Sequence, residues 1–420
     1  MTYSLARAVA WLALAAAACA PAPDPVLTFS GSAVGREAEV INRQLARFEA
    51  THPAITVALR ATPDAADQRH QLYVQWLNAR STDPDVLQLD VIWTPEFAAA
   101  GWIADLDRFQ PPLDRFFAAA VSAHEWRGAQ YALPWFVDVG MLYWRTDLMD
   151  APPRNLQELS TMARSGQDRA GVPFGFVWQG ARYEGLVTVF LEHLGAFGGA
   201  ILDGAGLVVV DSDEAVAALT YMRDAIYDEG VVPPAVLTWQ EEQSRFAFQS
   251  GQAVFMRNWP YAYALLQDEA ESSVAGRVAV TAMPAGPAGA PTAALGGSAL
   301  AINAHSDQPE AGYALIEFLL EPAQMIERAQ IAGQFPTRPA LYDTPALAEA
   351  LTIPAADALR VIEQAVARPV TPVYNQLSEI LQISLHRALT RQQDPRPALN
   401  DAAAGMRALL ARVRLGPTEP

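Results

Sequence analysis

The chain has 420 residues, 51% of them hydrophobic, and a mean hydropathy of +0.08, which is apolar material enough for two lobes, since a single core stops growing beyond roughly 250–300 residues. Its formal net charge of −17 excludes nucleic acid or an anionic membrane surface as partner, because both need clustered cations. All 29 basic residues are arginine, and without lysine there is neither Schiff-base chemistry nor a phosphate loop of the G-x-x-x-x-G-K type.

Arg7 and the apolar run 8–18 lead into Cys19, a signal-peptide layout too short for the roughly 20 residues of a spanning helix. Ala16, Ala17 and Ala18 before the cysteine resemble a bacterial lipobox, so residues 1–19 read as a lipoprotein signal peptide with Cys19 as lipidation site, and the Pro-rich 20–25 as a tether. The alternative is an ordinary signal peptide that contains a cysteine. Either way the mature protein is expected outside the cytoplasm, in the periplasm or on the outer face of the cytoplasmic membrane, touching membrane only through the lipid. No other thiol exists for disulfides, nucleophiles or metal ligation.

Residues 26–30 read as a strand and 37–50 as a helix, with Ala38, Ile41, Leu45 and Phe48 at helical spacing. Ile55, Val57 and Leu59 alternate as a second strand, a helix follows over 67–80, and 86–93 is again strand-like. Past Met141 the alternation resumes, with helices expected at 155–165, 185–195, 213–228 and 244–249 and strands at 174–178, 207–210, 253–257 and 277–282. The Pro/Gly/Ala-rich 284–294 is a loop, 299–303 a strand returning to the first lobe, and helices follow at 309–320, 357–367 and 377–391. The expected fold class is α/β with a largely parallel sheet, in two lobes: 26–137 with 299–345, and 138–298 with 346–415, ending in a tail, 416–420. No fixed-period repeat is present.

The six histidines show no metal-binding spacing, no G-x-S-x-G elbow occurs, and the G-x-G at Gly204 and Gly206 lacks a third glycine, so neither metal nor cofactor is expected. What the sequence does carry is aromatics beside carboxylates or amides at strand ends: Asp90 with Trp93, Trp135 and Phe136 with Asp138, Trp178 and Gln179 leading to Tyr183 and Glu184, and Asn258 with Trp259 and Tyr261. Rings stack on the C–H faces of a sugar while carboxylates accept from its hydroxyls. Singly, each tryptophan also reads as core and each aspartate as a helix cap.

At these residues the chain resembles the solute-binding proteins of ABC sugar importers, and most closely their trehalose/maltose-binding branch. The resemblance runs from about Val26 to the C-terminal helices. Its most specific stretches are Ser81-Thr82-Asp83-Pro84-Asp85-Val86 into Asp90-Val91-Ile92-Trp93, Tyr131-Ala132-Leu133-Pro134, Gly175-Phe176-Val177-Trp178-Gln179-Gly180, Arg257-Asn258-Trp259-Pro260-Tyr261, Leu295-Gly296-Gly297 and Arg368-Pro369. It implies two α/β lobes of the type II-like periplasmic-binding-protein fold, joined by crossing segments and closing by a hinge over an α-linked disaccharide such as trehalose or maltose. By the same resemblance Glu37, Arg69, Asp90, Trp93, Asp138, Glu184, Trp259, Gly296, Gly297 and Arg368 line the cleft, with Phe136 and Tyr143 as further aromatics.

Phe136 and Ser298 replace a tyrosine and a tryptophan of the family pattern, which leaves maltose, trehalose, sucrose and glucosylglycerol as alternatives. Other readings stand beside this one: Gly296 and Gly297 as a backbone turn, Arg368 as a cap on helix carbonyls, Arg69 as a solvated charge. The rival function is a glycoside hydrolase using two of Asp90, Asp138 and Glu184, which requires carboxyls roughly 5–5.5 Å or 6.5–9.5 Å apart. A phosphorylated solute would instead call for converging arginines. The expected partners are a small sugar and the permease subunits of an ABC transporter, the protein itself being a monomer.

Overall fold

A computed structural model describes residues 26–414. Cys19, the tether and the tail lie outside the described residues. The first sheet is built from β1 (Val26–Gly31), β2 (Thr56–Ala61), β3 (Val86–Asp90), β4 (Leu133–Val139), β9 (Leu295–Ile302) and β10 (Phe335–Pro336), in the order β10-β4-β9-β3-β1-β2. β1 runs parallel to β2 and β3, whereas β9 is antiparallel to β3 and β4. The apolar sequence of β3 is buried on both faces, as expected for a covered central strand, and β2 alternates because it is an edge. α1 (Glu37–Thr51) packs on the sheet through Val40, Ile41, Leu45 and Phe48. α2 (Ala66–Asn78) and α3 (Thr94–Ala99) follow β2 and β3.

The second sheet joins β5 (Met141–Arg145), β6 (Phe174–Val177), β7 (Ala253–Asn258) and β8 (Val278–Ala282), ordered β8-β5-β7-β6. Its helices start where the side chains supply caps: Asn155 accepts from the Glu158 amide before α4 (Leu156–Ala170), and Ser212 from the Ala215 amide before α6 (Asp213–Tyr227). Between them α5 (Glu184–Ala196) is buried almost all round. α7 (Glu241–Gln249) begins three residues earlier than the apolar pattern indicates, on a capping box formed by Gln240 and Gln243. The strand expected at 207–210 is not one. Leu202 and Val208 make a single antiparallel bridge, and Val208 and Val210 are buried against the helices instead.

After β9 come α8 (Pro309–Leu319) and α9 (Pro322–Ala332), then β10. The short helix Pro345–Ala350 packs on α9, and α10 (Ala355–Glu363) packs on β4, both in the first lobe. The sequence reading instead leaves that lobe at 346 and assigns 138–139 and 295–298, paired in the first sheet, to the other; the chain crosses only within 364–373. α11 (Tyr374–Leu389) and α12 (Pro395–Arg414) then cover α5 and α6. The chain therefore passes between the sheets three times: at Gly140, over 283–294 and over 364–373. These crossings lie side by side, with the Gly140 amide 3.4 Å from the Ala294 carbonyl and the Val366 amide 2.8 Å from the Ala293 carbonyl. Asp85, in the most family-specific stretch, is scaffold: its Oδ2 accepts from the amide and hydroxyl of Thr28, both at 2.8 Å.

Candidate ligand-binding site

Between the two sheets lies a cavity of about 290 Å³, near the small end of ligand pockets, roughly 300–1,000 Å³. Its floor comes from the strand ends of the first sheet (Gln88, Asp90, Phe136, Asp138, Gly296 and Ser298). The facing wall comes from the second: Tyr183, Glu184, Glu241, Trp259 and Tyr261.

Arg368, on the third crossing, joins the two. Its Nη2 donates to Asp90 Oδ1 and its Nη1 to Glu184 Oε1, both at 2.9 Å, with the side chain 2% exposed. Burial works against the guanidinium charge, but the two carboxylates hold its pKa above the ordinary value. Glu184, pushed up by its own burial, also accepts from Tyr374 Oη at 2.8 Å and from Ser378 Oγ, so little acceptor capacity is left for a ligand. Arg368 is therefore an ion-pair centre and not a helix cap.

Trp259 forms a flat wall because something buried stands behind it. Arg257, fully buried on β7, lies 4.0 Å from the Trp259 ring centre and is paired through Nε with Glu192 Oε2 at 2.9 Å, while its Nη1 donates to Gln179 at 3.1 Å. Gly140 must be glycine here, since a Cβ would fall 1.8 Å from Glu192 Oε1. Across the cavity, a Cβ on Gly296 would sit 3.2 Å from the Trp259 ring, so that glycine leaves room beside the indole. Gly297 answers to the backbone: its φ is +119°, and a Cβ would lie 2.2 Å from the Phe136 carbonyl.

Asp138 differs from Glu37, Asp90 and Glu184, whose carboxylates are each hydrogen-bonded to a neighbouring side chain. Among the described residues its carboxyl has no hydrogen-bond partner, and Oδ1 is shut from solvent. Burial, with Glu37 and Asp90 nearby, pushes its pKa up to about 8. Glu37, also raised by burial, accepts from Gln334, which in turn accepts from Arg328 at 2.7 Å, while Glu37 Oε2 has no partner.

Ten of the twelve residues expected in the cleft line it: Glu37, Arg69, Asp90, Phe136, Asp138, Glu184, Trp259, Gly296, Gly297 and Arg368. Arg69 is buried, not a solvated surface charge; its Nη1 donates to the carbonyls of Pro63 and Asp64 and its Nε has no partner. Trp93 and Tyr143 do not line the cavity. Trp93 packs among His70, Tyr73 and Phe97 with the Arg69 guanidinium 5.3 Å from its ring, and Tyr143 donates to the Trp259 carbonyl at 2.6 Å, so each backs a lining residue. Sequence reading missed Ser32, Asp64, Gln88, Gln334 and the run Gln240 to Gln243. Gln88, a lone amide inside the apolar β3, carried a legible signal; Gln334 and Asp64 carried none.

Residues 34–326 match the bacterial extracellular solute-binding protein family. Over 408 residues the chain is 37% identical to a Deinococcus radiodurans protein named "Probable ABC transporter-binding protein", covering 93% of this chain and 95% of that one. Among solved structures it is similar to maltose-bound MalE3 of T. maritima, with a TM-score of 0.88 and 44% identity over 91% of this chain and 99% of that one. The GacH receptor of Streptomyces glaucescens, solved unliganded and with acarbose, shares the fold at a TM-score of 0.83 and 23% identity, covering 93% and 99% of the two chains. Two α/β lobes around a cleft are the architecture these proteins share, and the family is one of solute carriers for ABC transporters and not of enzymes. The chain belongs to the bacterial extracellular solute-binding proteins, the class that serves ABC transporters.

Proposed function

We propose that this protein captures an α-linked disaccharide of the maltose or trehalose type, or a related glucoside, and delivers it to an ABC permease in the cytoplasmic membrane. In this reading Cys19 carries a lipid that holds a monomeric carrier at the membrane surface, and the lobes, 26–139 with 295–363 and 141–282 with the chain after the third crossing, close by a hinge. The observation that carries it is Asp138: a carboxyl without a protein partner, beside the Trp259 wall, accepts from a hydroxyl of a sugar whose C–H face the indole covers. Support for maltose also comes from the 44% identity to a maltose-bound relative. A hydrolytic pair fits poorly, because Glu184 and Asp90 are both tied to Arg368.

Calorimetric titration with maltose, trehalose, sucrose, glucosylglycerol and glucose tests the proposal. Micromolar or tighter binding of one glucoside with no product on long incubation supports it; silence across the panel sinks the sugar assignment. Trp259→Ala is expected to weaken the binding of that glucoside by about 1–3 kcal/mol through loss of the stacking face. Unchanged affinity in a folded variant would remove Trp259 from the site.

A further inference from the structure

Behind Glu184 the polar structure continues onto α11. Tyr374 and Ser378 do not line the cavity, yet both hydroxyls are committed to the Glu184 carboxylate, one to each oxygen. Gln382, one turn further, donates to Ser378 Oγ at 2.9 Å and reaches Asp67 Oδ2 on α2 at 3.4 Å. All three side chains are buried. With its oxygens held by α11, Glu184 presents Oε1 to Arg368 Nη1, and the rigid guanidinium fork then directs Nη2 to Asp90 at 2.9 Å. Glu184 moves with the second sheet and Asp90 with the first, so a rotation that parts the lobes lets Arg368 keep only one of them. The same helix makes a second link at the rim: Asn375 Nδ2 lies 3.0 Å from His70 Nε2 on α2 and donates to Glu96 on α3.

We propose that Tyr374 and Ser378 are positioning residues for lobe closure: acting through Glu184, they hold Arg368 across the cleft to Asp90, and so govern how tightly a ligand is retained without touching it. This rests on the reading of the cleft as a site that closes over a sugar. The three-centre arrangement belongs to the closed state, which the protein samples with or without ligand, and its desolvated, charge-assisted bonds favour closing. A ligand that closes the lobes then binds more tightly by the share that α11 contributes.

The test compares wild type with the double variant Tyr374→Phe/Ser378→Ala, in a Cys19→Ser background carrying Gln75→Cys and Thr161→Cys for spin labels, one exposed site on each lobe. Binding of the wild-type ligand is expected to weaken about tenfold or more. The interlobe distance distribution at saturating ligand is expected to shift toward the longer, open values. Ser378→Thr with Tyr374 intact keeps both hydroxyls and restores the wild-type distribution. A merely structural role would lower the unfolding midpoint while leaving affinity and distances unchanged, and that result overturns the proposal. If the wild type binds none of the saccharides, the sugar reading fails, and the ligand-free distributions decide the matter separately: a longer distance in the double variant supports the α11 arrangement, and identical distributions reject it.

Discussion

Glu192→Gln is expected to destabilise the protein by roughly 3–5 kcal/mol, because it strands the Arg257 cation in the interior. Both side chains are shut from solvent, at 0% and 1% exposure, and the guanidinium is held through two of its nitrogens by Glu192 and through the third by Gln179. The amide keeps the shape of the carboxylate but cannot balance the charge. Urea unfolding measures this as a lower midpoint. The double replacement Arg257→Met/Glu192→Leu is expected to recover most of the lost stability, since a buried ion pair and a well-packed apolar pair of similar volume are close in energy. It should nevertheless bind sugar more weakly, because Trp259 then loses the cation against its hidden face. A double variant with wild-type affinity would show that the pair stabilises the fold without orienting the indole; a single variant with the wild-type midpoint would show that Arg257 finds another partner.

Asp138→Asn is expected to stabilise the ligand-free protein at pH 8 while weakening its grip on the ligand. Burial and the neighbouring acids raise the folded-state pKa from the ordinary 3.8 to about 8. Between about pH 4 and pH 8 the folded protein therefore holds a proton that the unfolded chain has released, and stability falls as pH rises through that window, levelling off above it. The accumulated penalty is on the order of a few kcal/mol, because each tenfold gain in proton affinity on folding is worth about 1.4 kcal/mol and the buried Glu37 carboxyl is coupled to Asp138. Asparagine has the same shape and no charge, so melting temperatures of the variant should gain on wild type progressively from pH 5 to pH 8. The cost is in binding: a sugar hydroxyl donating to an ionised carboxylate is worth roughly 1.5–3 kcal/mol against about 1 for an amide, so affinity should drop by about tenfold. The ionised form binds better, so wild-type affinity should rise toward pH 8, with protons released on binding below it. Titrations in buffers of different ionisation heat detect that release. Melting differences that do not vary with pH, or an Asn variant that binds as wild type does, would make Asp138 a bystander.

Much of the fold was readable because its causes are local. Asn155 and Ser212 cap the helices that follow them, Val40, Ile41, Leu45 and Phe48 recur at helical spacing, and the apolar Val86 to Leu89 is what a covered strand demands. The misjudged pieces were those where tertiary contact overrode pattern: 207–210 has strand composition but no neighbouring strand to pair with, and 345–363 stays with the first sheet because its buried residues pack there.

The site divides in the same way. The sequence by itself determined which chemical groups the protein can offer a ligand: carboxylates and indoles at strand ends, no lysine, one cysteine, no metal-binding spacing. Only the tertiary structure decided their roles. Arg368 meets Glu184 and Asp90 across 184 and 278 residues of chain, and Gln334 meets Glu37 across 297. Whether a carboxylate is spent on an arginine, as Glu184 is, or left without a partner, as Asp138 is, depends on contacts that no local preference encodes. Trp93 and Tyr143 are placed behind the wall, and Trp259 within it, for the same reason: an aromatic ring packs equally well in a core or against a ligand, and the surrounding elements choose which face stays open.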